Sequence, residues 1–531
     1  ILGRKGSGKS TLTEQLECQN PSRYASHVRI DFSKIALSFV YSYYTDRQFQ
    51  SDAQSTRVYR AQYLELVWEC FFFICLIWHK KDLQHFDRWL RDEFQDDALE
   101  YTPQEFFNAA LNNSFERFAE FQKRTIDSSG DTLASLPARL SPRKFVEHAF
   151  GKSLVQKITE LAKSGTRLIT LDGIDSAFHD YRMEYLRFGS HDSPDYYQDR
   201  ARVELDLIKA LMRLVADVKA KPADYPILSA CEFCITIPLD LYQEIKWHHE
   251  RDSYQLLASC RALDWSGFEL ALMLRKRLEK LNSVQVDKEK YYGPRERLLE
   301  LLDDCYSGLP QEIPVEVGDR VTSFPIFIYV LRYTFWRPRE IIFHFVGLLS
   351  SFEYFKGKVP ITTRDVKAIV KEQAKALVAS EFIDEFKSTI TNIEEIIGQF
   401  ASGPQYYPVD KFVVRLDATP FNFYVNPHAS GQSAADIKLR LLYEVGFIGL
   451  RLTNEQMIQY SRPRDIFAFC EGMVIFDDIA RGGFNGSIIC IHPVFVEYLN
   501  VEVDQSQEIA WNIDWEYLRE NEVRRNAAVQ W

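Results

Sequence analysis

The chain has 531 residues, of which 46% are hydrophobic and 26% charged, a composition typical of folded globular proteins and not of disordered ones. At the usual ~150 residues per domain, this length predicts about three domains. The formal net charge of −11 argues against a protein coated by nucleic acid, although it leaves room for a local basic face.

The segment GRKGSGKS near the start of the chain fits the phosphate-loop pattern G-x-x-x-x-G-K-[ST]. Its glycines let the backbone wrap around phosphate oxygens with the N–H groups pointing inward. Lys9 supplies a cation for the β- and γ-phosphates, and the Ser10 hydroxyl is a ligand for Mg²⁺. A helix predicted from Ser10 onward would direct its N-terminal dipole at the phosphates. The predicted nucleotide-binding residues of this segment are Gly3, Gly6, Ser7, Gly8, Lys9, Ser10 and Thr11; the alternative is a tight surface turn.

A strand normally leads into such a loop, and only Ile1 and Leu2 precede it here. The chain also begins without Met. We therefore expect the natural protein to extend upstream of Ile1.

The region from about 32 to 150 separates the loop from the next nucleotide motif, and its patterns predict a helical insertion. Its most apolar run, Leu64–Trp78, is shorter than the ~20 residues that span a bilayer and contains Glu65 and Glu69. Its apolar residues recur at helical spacing, which predicts a buried core helix and no membrane contact. The aromatic residues of the insertion either fill an ordinary core or form a partner surface.

The nine cysteines are scattered and odd in number, which favours reduced thiols in a cytoplasmic protein over a disulfide framework. Cys231 and Cys234 form a C-x-x-C pair, but no second Cys or His pair follows at zinc spacing. We therefore do not predict a zinc site.

The segment RLITLDGIDSAF supplies the carboxylate that a phosphate loop requires. Its apolar run 168–171 predicts a central parallel strand that is buried on both faces. Asp172 would then lie at the carboxyl end of that strand, where open α/β sheets bind ligands, and would hold Mg²⁺ directly or through water. The alternative is an Asp that only opens the turn before Gly173.

The pattern hhhhDGhD in this segment resembles the STAND class of signal-transducing P-loop ATPases, relatives of the AAA+ group. The resemblance implies that Asp175, the second acid, organises water or metal. Gly173 stands where many ATPases have a catalytic Glu, which predicts slow or conditional hydrolysis. In the resembling families a later strand ends in a residue that senses the γ-phosphate. The matching positions 236–240 lack the usual arginine, which puts that sensing in doubt.

The segment beginning RALDWSGFEL resembles the L-x-W entry to the helical lid of these ATPases. Arg275 and Arg277 are predicted as charges on the outer face of this helix. Further on, Arg337 and Arg339 flank a proline that begins an apolar helix. The resemblance implies that one of these two reaches the nucleotide as the lid arginine does, and the alternative is a solvated helix start. The predicted packing residues of the lid entry are Leu263, Trp265, Leu270, Leu274 and Leu278.

The last third of the chain resembles the winged-helix domain that follows the lid in STAND proteins. FVVRLD (412–417) and FNFYVN (421–426) alternate like short strands. The segment 433–452 predicts a helix that ends at a glycine. A hairpin at Gly482, Gly483 and Gly486 would form the wing, followed by a strand and a short helix.

His492 matches the histidine that contacts the ADP β-phosphate in the Met-His-Asp triplet of NLR-type winged helices, but Pro493 replaces the Asp. The resemblance implies a nucleotide contact for His492, and the alternative is a structural histidine at a strand end.

The predicted fold class is α/β, a P-loop NTPase sheet with a large helical insertion, followed by a helical lid and a winged-helix-like α+β domain. The corresponding domains are the ATPase core (1–260), the lid (261–395) and the winged-helix-like domain (396–531).

The resemblance implies a cytoplasmic ATPase that binds ATP or ADP with Mg²⁺. Lys9, Asp172 and Asp175 would be its catalytic residues, and Ser10 and Asp172 its metal ligands. It would act as a nucleotide-dependent switch that forms homo-oligomers or controls an effector such as a nuclease, as in bacterial antiphage defence.

Two alternatives stay open. One is an origin-recognition-type DNA-binding ATPase, although its candidate recognition helix carries only Lys438 and Arg440. The other is a scaffold that nucleotide stabilises but that does not hydrolyse it.

Overall fold

The structure is a computed structural model. It divides the chain into two compact units, residues 1–3 with 9–262 and residues 4–8 with 263–531. The described residues are 1–3, 6–19, 23–32, 64–65, 67–69, 71–72, 76, 152, 155–156, 159–160, 165–174, 194–239, 241–242, 245, 263, 265, 267–281, 309–317, 320–354, 361–423, 434–451, 467–469 and 488–503.

Parallel strands form the centre of the first unit. Strand β2 pairs with β3 and β3 with β4, while the short β1 pairs with β5, which follows β4 after Thr236. The resulting order places the β4–β5 strand between β1 and β3. The elements are β1 (Leu2–Gly3), α1 (Lys9–Gln19), β2 (Ser26–Asp31), β3 (Arg167–Asp172), α2 (Pro194–Ala220), β4 (Cys231–Ile235) and β5 (Ile237–Pro238).

Strand β3 is buried along Arg167–Leu171, which fits the continuous apolar run of a central parallel strand. An aromatic cluster packs on one face of the sheet. Trp68 stacks on Phe32 with ring centroids 5.4 Å apart, and Phe72 lies 5.0 Å from Phe233. The Trp68 indole donates to the Leu207 carbonyl of α2 at 2.7 Å.

The described part of the predicted Leu64–Trp78 helix is helical, and its apolar residues are buried. Among the described residues, no helix has the length and apolarity needed to cross a bilayer.

The second unit combines helices with two antiparallel sheets. Strand β6 pairs with β7, and a four-stranded sheet has the order β10–β9–β11–β8. The strands are β6 (Glu312–Val317), β7 (Arg320–Pro325), β8 (Tyr406–Pro408), β9 (Ile448–Arg451), β10 (Phe467–Ala468) and β11 (Ile488–Ile491).

A π-helical segment, Val378–Phe382, continues α6 directly into α7 in this unit. The helices are α3 (Gly267–Leu281), α4 (Ile326–Leu331), α5 (Pro338–Tyr354), α6 (Thr363–Leu377), α7 (Ile383–Lys387), α8 (Ile393–Gly398), α9 (Val409–Leu416), α10 (Ala434–Glu444) and α11 (Val496–Leu499). The described chain is therefore mixed α/β, with small parallel and antiparallel sheets among helices.

Helix α3 confirms part of the predicted packing and corrects one residue. Leu270, Leu274 and Leu278 are buried, and Arg277 is exposed. Arg275, predicted on the outer face, is buried instead. It lies four residues after the buried Ala271 and three before Leu278, so helical periodicity places it on the buried stripe.

The prediction of a strand over FVVRLD is wrong, because α9 contains all of this segment except Asp417. Phe412 and Leu416 are fully buried, and their spacing of four residues is that of one helix face. The apparent alternation reflected β-branched residues at helix positions. In FNFYVN, Phe423 forms an isolated bridge with Ile390, and residues 424–426 lie outside the described residues.

The predicted helix before a glycine is confirmed, since α10 ends at Glu444 and Gly446 has a φ of +91°. Strand β11 and the short α11 also match the prediction. The predicted hairpin at Gly482, Gly483 and Gly486 lies outside the described residues.

Candidate functional site

The phosphate-loop lysine is fixed to the start of its own loop. Lys9 begins α1 and is 7% exposed, and its Nζ donates to the carbonyl of Gly3 at 2.9 Å. Gly3 ends strand β1, so this bond holds the ammonium group at the carboxyl end of that strand. Ser10 and Thr11, the next residues of α1, are exposed and accessible to a ligand.

The middle of the loop belongs to the second unit and has the backbone of an anion-binding loop. Gly6 and Gly8 have φ angles of +80° and +91°, which glycine adopts without strain. Such alternation turns successive N–H groups to one side of a turn. Ser7 between them is buried, and its Oγ has no hydrogen-bond partner among the described residues.

Trp265 anchors this part of the loop. Its indole Nε1 donates to the Ser7 carbonyl at 2.7 Å. A β-carbon placed on Gly8 would lie 3.8 Å from Cζ2 of the same ring. The bond fixes the orientation of the peptide between Ser7 and Gly8. The prediction assigned Trp265 to packing alone, so this polar contact with the loop is an addition.

The two predicted lid arginines have different surroundings. Arg339 lies against Gly6, where a β-carbon would be 2.9 Å from its Nε, and its guanidinium donates to Glu381 in the π-helical segment. Arg337 is buried, and its Nη1 donates to Glu385 of α7 at 2.7 Å. Only Arg339 of this pair is therefore placed beside the loop.

Polar side chains occupy matching positions at the carboxyl ends of three neighbouring strands. Asp31 of β2 is in register with Asp172 of β3, and the Thr236 N–H donates to the Leu171 carbonyl beside it. The Thr236 hydroxyl donates to Oδ1 of Asp172. Asp172 therefore lies at the edge where parallel sheets bind ligands, with one carboxylate oxygen oriented by a neighbour.

The residues after Asp172 are described only in part. Gly173 has a φ of +80°, a conformation that a glutamate at this position would adopt only with strain. This backbone accounts for glycine where many ATPases place a catalytic acid. Asp175 lies outside the described residues, and its predicted role stays a prediction.

His492 occupies an aromatic environment in the second unit. It is 2% exposed, and its ring centroid lies 4.9 Å from that of Phe335 and 4.7 Å from that of Phe469. Its Nδ1 accepts a hydrogen bond from the Val494 N–H at 3.2 Å and so caps a short 3-10 helix that begins at Pro493. These contacts favour the structural alternative for this histidine.

Both basic residues of the candidate recognition helix contact acidic residues. Lys438 donates to Asp417 at 2.7 Å, and Arg440 lies 4.0 Å from Glu444 of its own helix. Their charges are therefore partly neutralised locally. This arrangement does not favour binding to nucleic-acid phosphates.

The C-x-x-C thiols are buried in strand β4. Burial raises the pKa of Cys231 to about 12 and also raises the pKa of Cys234, so both are protonated at neutral pH. Across the described residues, no group of three or more His, Cys, Asp or Glu side chains has a metal-holding arrangement. A Mg²⁺ held by one carboxylate, a hydroxyl and phosphate oxygens needs no such group.

Three residues at this site were missed by sequence reasoning: Asp31, Thr236 as a partner of Asp172, and Glu381. The signal for Asp31 was available, because VRID ends a strand with an acid just as RLITLD does. The signal for Glu381 was absent, since its partner Arg339 is distant in sequence.

Comparison of the chain with protein-family models, curated proteins and solved structures finds no match.

Proposed function

We propose that this protein is a P-loop ATPase that binds ATP or ADP with Mg²⁺ and uses the nucleotide as a switch. The observation that carries the proposal is the location of two side chains at the carboxyl ends of parallel strands: Lys9, fixed on Gly3 at the end of β1, and Asp172 at the end of β3. A cation and a carboxylate at one edge of a parallel sheet are what a magnesium–triphosphate requires.

The order of the strands supports the same assignment. The β4–β5 strand separates β1 from β3, and Thr236 lies within it next to Asp172. In the AAA+-like families that the sequence resembles, a strand after the acidic strand carries the γ-phosphate sensor. At the matching place this chain has Thr236 in place of an arginine, and we assign to its hydroxyl the role of orienting Asp172, to which it donates.

The loop also suits a phosphate ligand. Gly6 and Gly8 supply left-handed backbone, and the buried Ser7 hydroxyl has no hydrogen-bond partner among the described residues. Ser10 and Asp172 would hold Mg²⁺, which when bound neutralises charge on the phosphate oxygens. Lys9 would contact the β- and γ-phosphates.

The switch part of the proposal rests on Trp265 and Arg339. Both contact loop residues, and Arg339 connects Gly6 to Glu381 of the π-helical segment. A phosphate in the loop would compete with Glu381 for the Arg339 guanidinium. Nucleotide binding would thereby alter contacts of α5 and of the α6–α7 helix. The same proposal includes the expected domain arrangement, in which a helical lid and a winged-helix-like domain follow the ATPase core.

The test is isothermal titration calorimetry of the wild-type chain and the Lys9→Ala variant with ATP and ADP in the presence of Mg²⁺. We expect Lys9→Ala to weaken binding about 10–100-fold, the size of a lost charge-assisted contact. The control is Lys438→Ala, which removes a lysine from α10 and should bind as the wild type does. Equal affinities of Lys9→Ala and wild type, or no binding by either, would contradict the proposal.

A further inference from the structure

We propose that Asp31 is the carboxylate that activates the attacking water in ATP hydrolysis. This inference rests on the proposed function and assigns a residue that the Asp172 motif does not supply. Gly173 stands where many ATPases have a catalytic Glu, and Asp175, the acid that the resemblance implies for the same task, lies outside the described residues. Metal binding and water activation would then be divided between two adjacent strands.

The register of the sheet places Asp31 directly beside Asp172. The two are partners in the β2–β3 pairing, and neighbouring strands lie about 4.8 Å apart. Partners in register project from the same face of a parallel sheet, so the two carboxylates extend in the same direction. Thr236, on the other side of Asp172, donates to one of its oxygens.

A contact with α1 shows from which face of the sheet Asp31 projects. Arg29 lies two residues before Asp31, hence on the same face, and it donates to Glu14 of α1 at 3.1 Å. Asp31 is about 6.6 Å further toward the carboxyl edge than Arg29, at about 3.3 Å per strand residue. Ser10 lies one helical turn before Glu14, which is about 6 Å in the same direction. Asp31 and the predicted metal ligand Ser10 are therefore both displaced from the Arg29–Glu14 contact toward the same edge of the sheet.

Asp31 and Asp172 differ in exposure to solvent, and this difference suits them to different roles. Asp31 is exposed, whereas Asp172 is half-buried and already accepts the Thr236 hydroxyl. The oriented Asp172 suits a fixed metal ligand. The accessible Asp31 suits a base that must receive a proton from a water molecule entering from solvent.

The step balances without any further reactant. The water oxygen bonds to the γ-phosphorus while the Asp31 carboxylate accepts the proton that this water releases. The bond between the γ-phosphorus and the β–γ bridging oxygen breaks, and ADP leaves with that electron pair. Asp31 then returns its proton to solvent or to the released phosphate.

The experiment compares the full-length wild type with the variants Asp31→Asn and Asp172→Asn in two assays. One measures ATP turnover by phosphate release, and the other measures ADP and ATP affinity with and without Mg²⁺. We expect Asp31→Asn to lower turnover about 10²–10⁴-fold, the range for loss of a general base. We expect its ATP affinity and Mg²⁺ dependence to match the wild type, so that it holds ATP unhydrolysed. Asp172→Asn should instead lose the gain in affinity that Mg²⁺ gives.

Asp217→Asn, an exposed acid on α2 paired with Lys221, is the matched control and should leave both assays unchanged. Asp31→Ala is a second variant with the same expected outcome, and circular dichroism checks that both fold. Wild-type turnover by Asp31→Asn would overturn the inference and leave the proposed function intact. So would loss of the Mg²⁺ effect in that variant, or nucleotide binding by the wild type without turnover. Absence of nucleotide binding by the wild type would overturn both proposals.

Discussion

Backbone carbonyls of the phosphate loop hold the side chains that surround it. The Gly3 carbonyl accepts Lys9, and the Ser7 carbonyl accepts the Trp265 indole. A carbonyl engaged in this way has a fixed orientation, and so does the peptide to which it belongs. The side chains of Lys9 and Trp265 therefore stabilise the shape of the loop.

Replacing Gly6 by Ala tests this packing independently of function. Ala at a left-handed position costs about 1–2 kcal/mol, and its β-carbon would also collide with Arg339, which Glu381 holds in place. We expect Gly6→Ala to lower the melting temperature of the ligand-free protein more than Gly8→Ala. Gly8 has the same type of φ angle, but its β-carbon would have 3.8 Å of clearance to Trp265.

The excess destabilisation should disappear when Gly6→Ala is made in an Arg339→Ala background, because the obstructing side chain is then absent. Thermal unfolding by circular dichroism of the wild type, the three single variants and the double variant gives the five melting temperatures. Equal melting temperatures for Gly6→Ala and Gly8→Ala would refute the contact between Gly6 and Arg339.

At the scale of elements, the continuous α6–π–α7 helix presents two glutamates to the start of α5. Glu381 pairs with the half-exposed Arg339, and Glu385, four residues later, pairs with the buried Arg337. Arg337, the residue before α5, also lies with its Nε 3.3 Å from Oε1 of Glu340 in the first turn of that helix. These pairs join two helices that are distant in sequence. A π-helical turn within a longer helix is frequently found at functional sites.

Removing one partner of the buried Arg337–Glu385 pair should lower the free energy of unfolding. Glu385→Ala removes one of the negative charges that neutralise Arg337, in a site where the side chains of both residues are 4% exposed. Loss of a buried ion-pair partner costs about 3–5 kcal/mol of stability. We expect a marked loss of stability in urea unfolding followed by fluorescence.

The control is Glu232→Ala, which breaks the exposed pair with Arg23 and should cost less than about 1 kcal/mol. If Glu385→Ala and Glu232→Ala had similar effects, the buried pair would not be stabilising this helix contact.

At the scale of the whole molecule, burial in the first unit makes stability depend on pH. Glu69 lies in the helical segment predicted over Leu64–Trp78, and burial raises its pKa from 4.5 to about 8. Between these values the folded chain holds a proton that the unfolded chain has released, so the free energy of unfolding falls as pH rises. Below 4.5 the carboxyl is protonated in both states and this loss is absent.

Glu69→Gln should therefore stabilise the protein relative to wild type more at pH 8.5 than at pH 5.5, because the loss in the wild type grows with each pH unit between the two pKa values. In a large protein each kcal/mol corresponds to about 2–4 °C in melting temperature. Thermal unfolding of the full chain at the two pH values measures the difference. Glu160→Gln, a change at an exposed residue of the same unit, is the control. A benefit from Glu69→Gln that is the same at both pH values would show that burial does not hold Glu69 protonated.

Local patterns in the sequence determined the features that depend on neighbouring residues. The phosphate-loop motif, the apolar strand ending at Asp172 and the helix before Gly446 follow from glycine conformation and hydrophobic periodicity. Periodicity failed where β-branched residues occupied a helix, as in α9, and where a long polar side chain occupied a buried stripe, as at Arg275.

Only the tertiary structure decided which distant residues meet. The pairing of Asp31 with Asp172, the Thr236 hydroxyl on that carboxylate and the separate partners of Arg337 and Arg339 depend on strand register and helix packing. The most distant of these partners, Asp31 and Asp172, are about 140 positions apart in the chain. No local spacing in the sequence encodes such contacts. The sequence by itself therefore determined that a phosphate-loop motif and a strand ending in an acid are present. The tertiary structure decided which further side chains can act with them, because chemistry at a sheet edge depends on the order in which strands lie side by side.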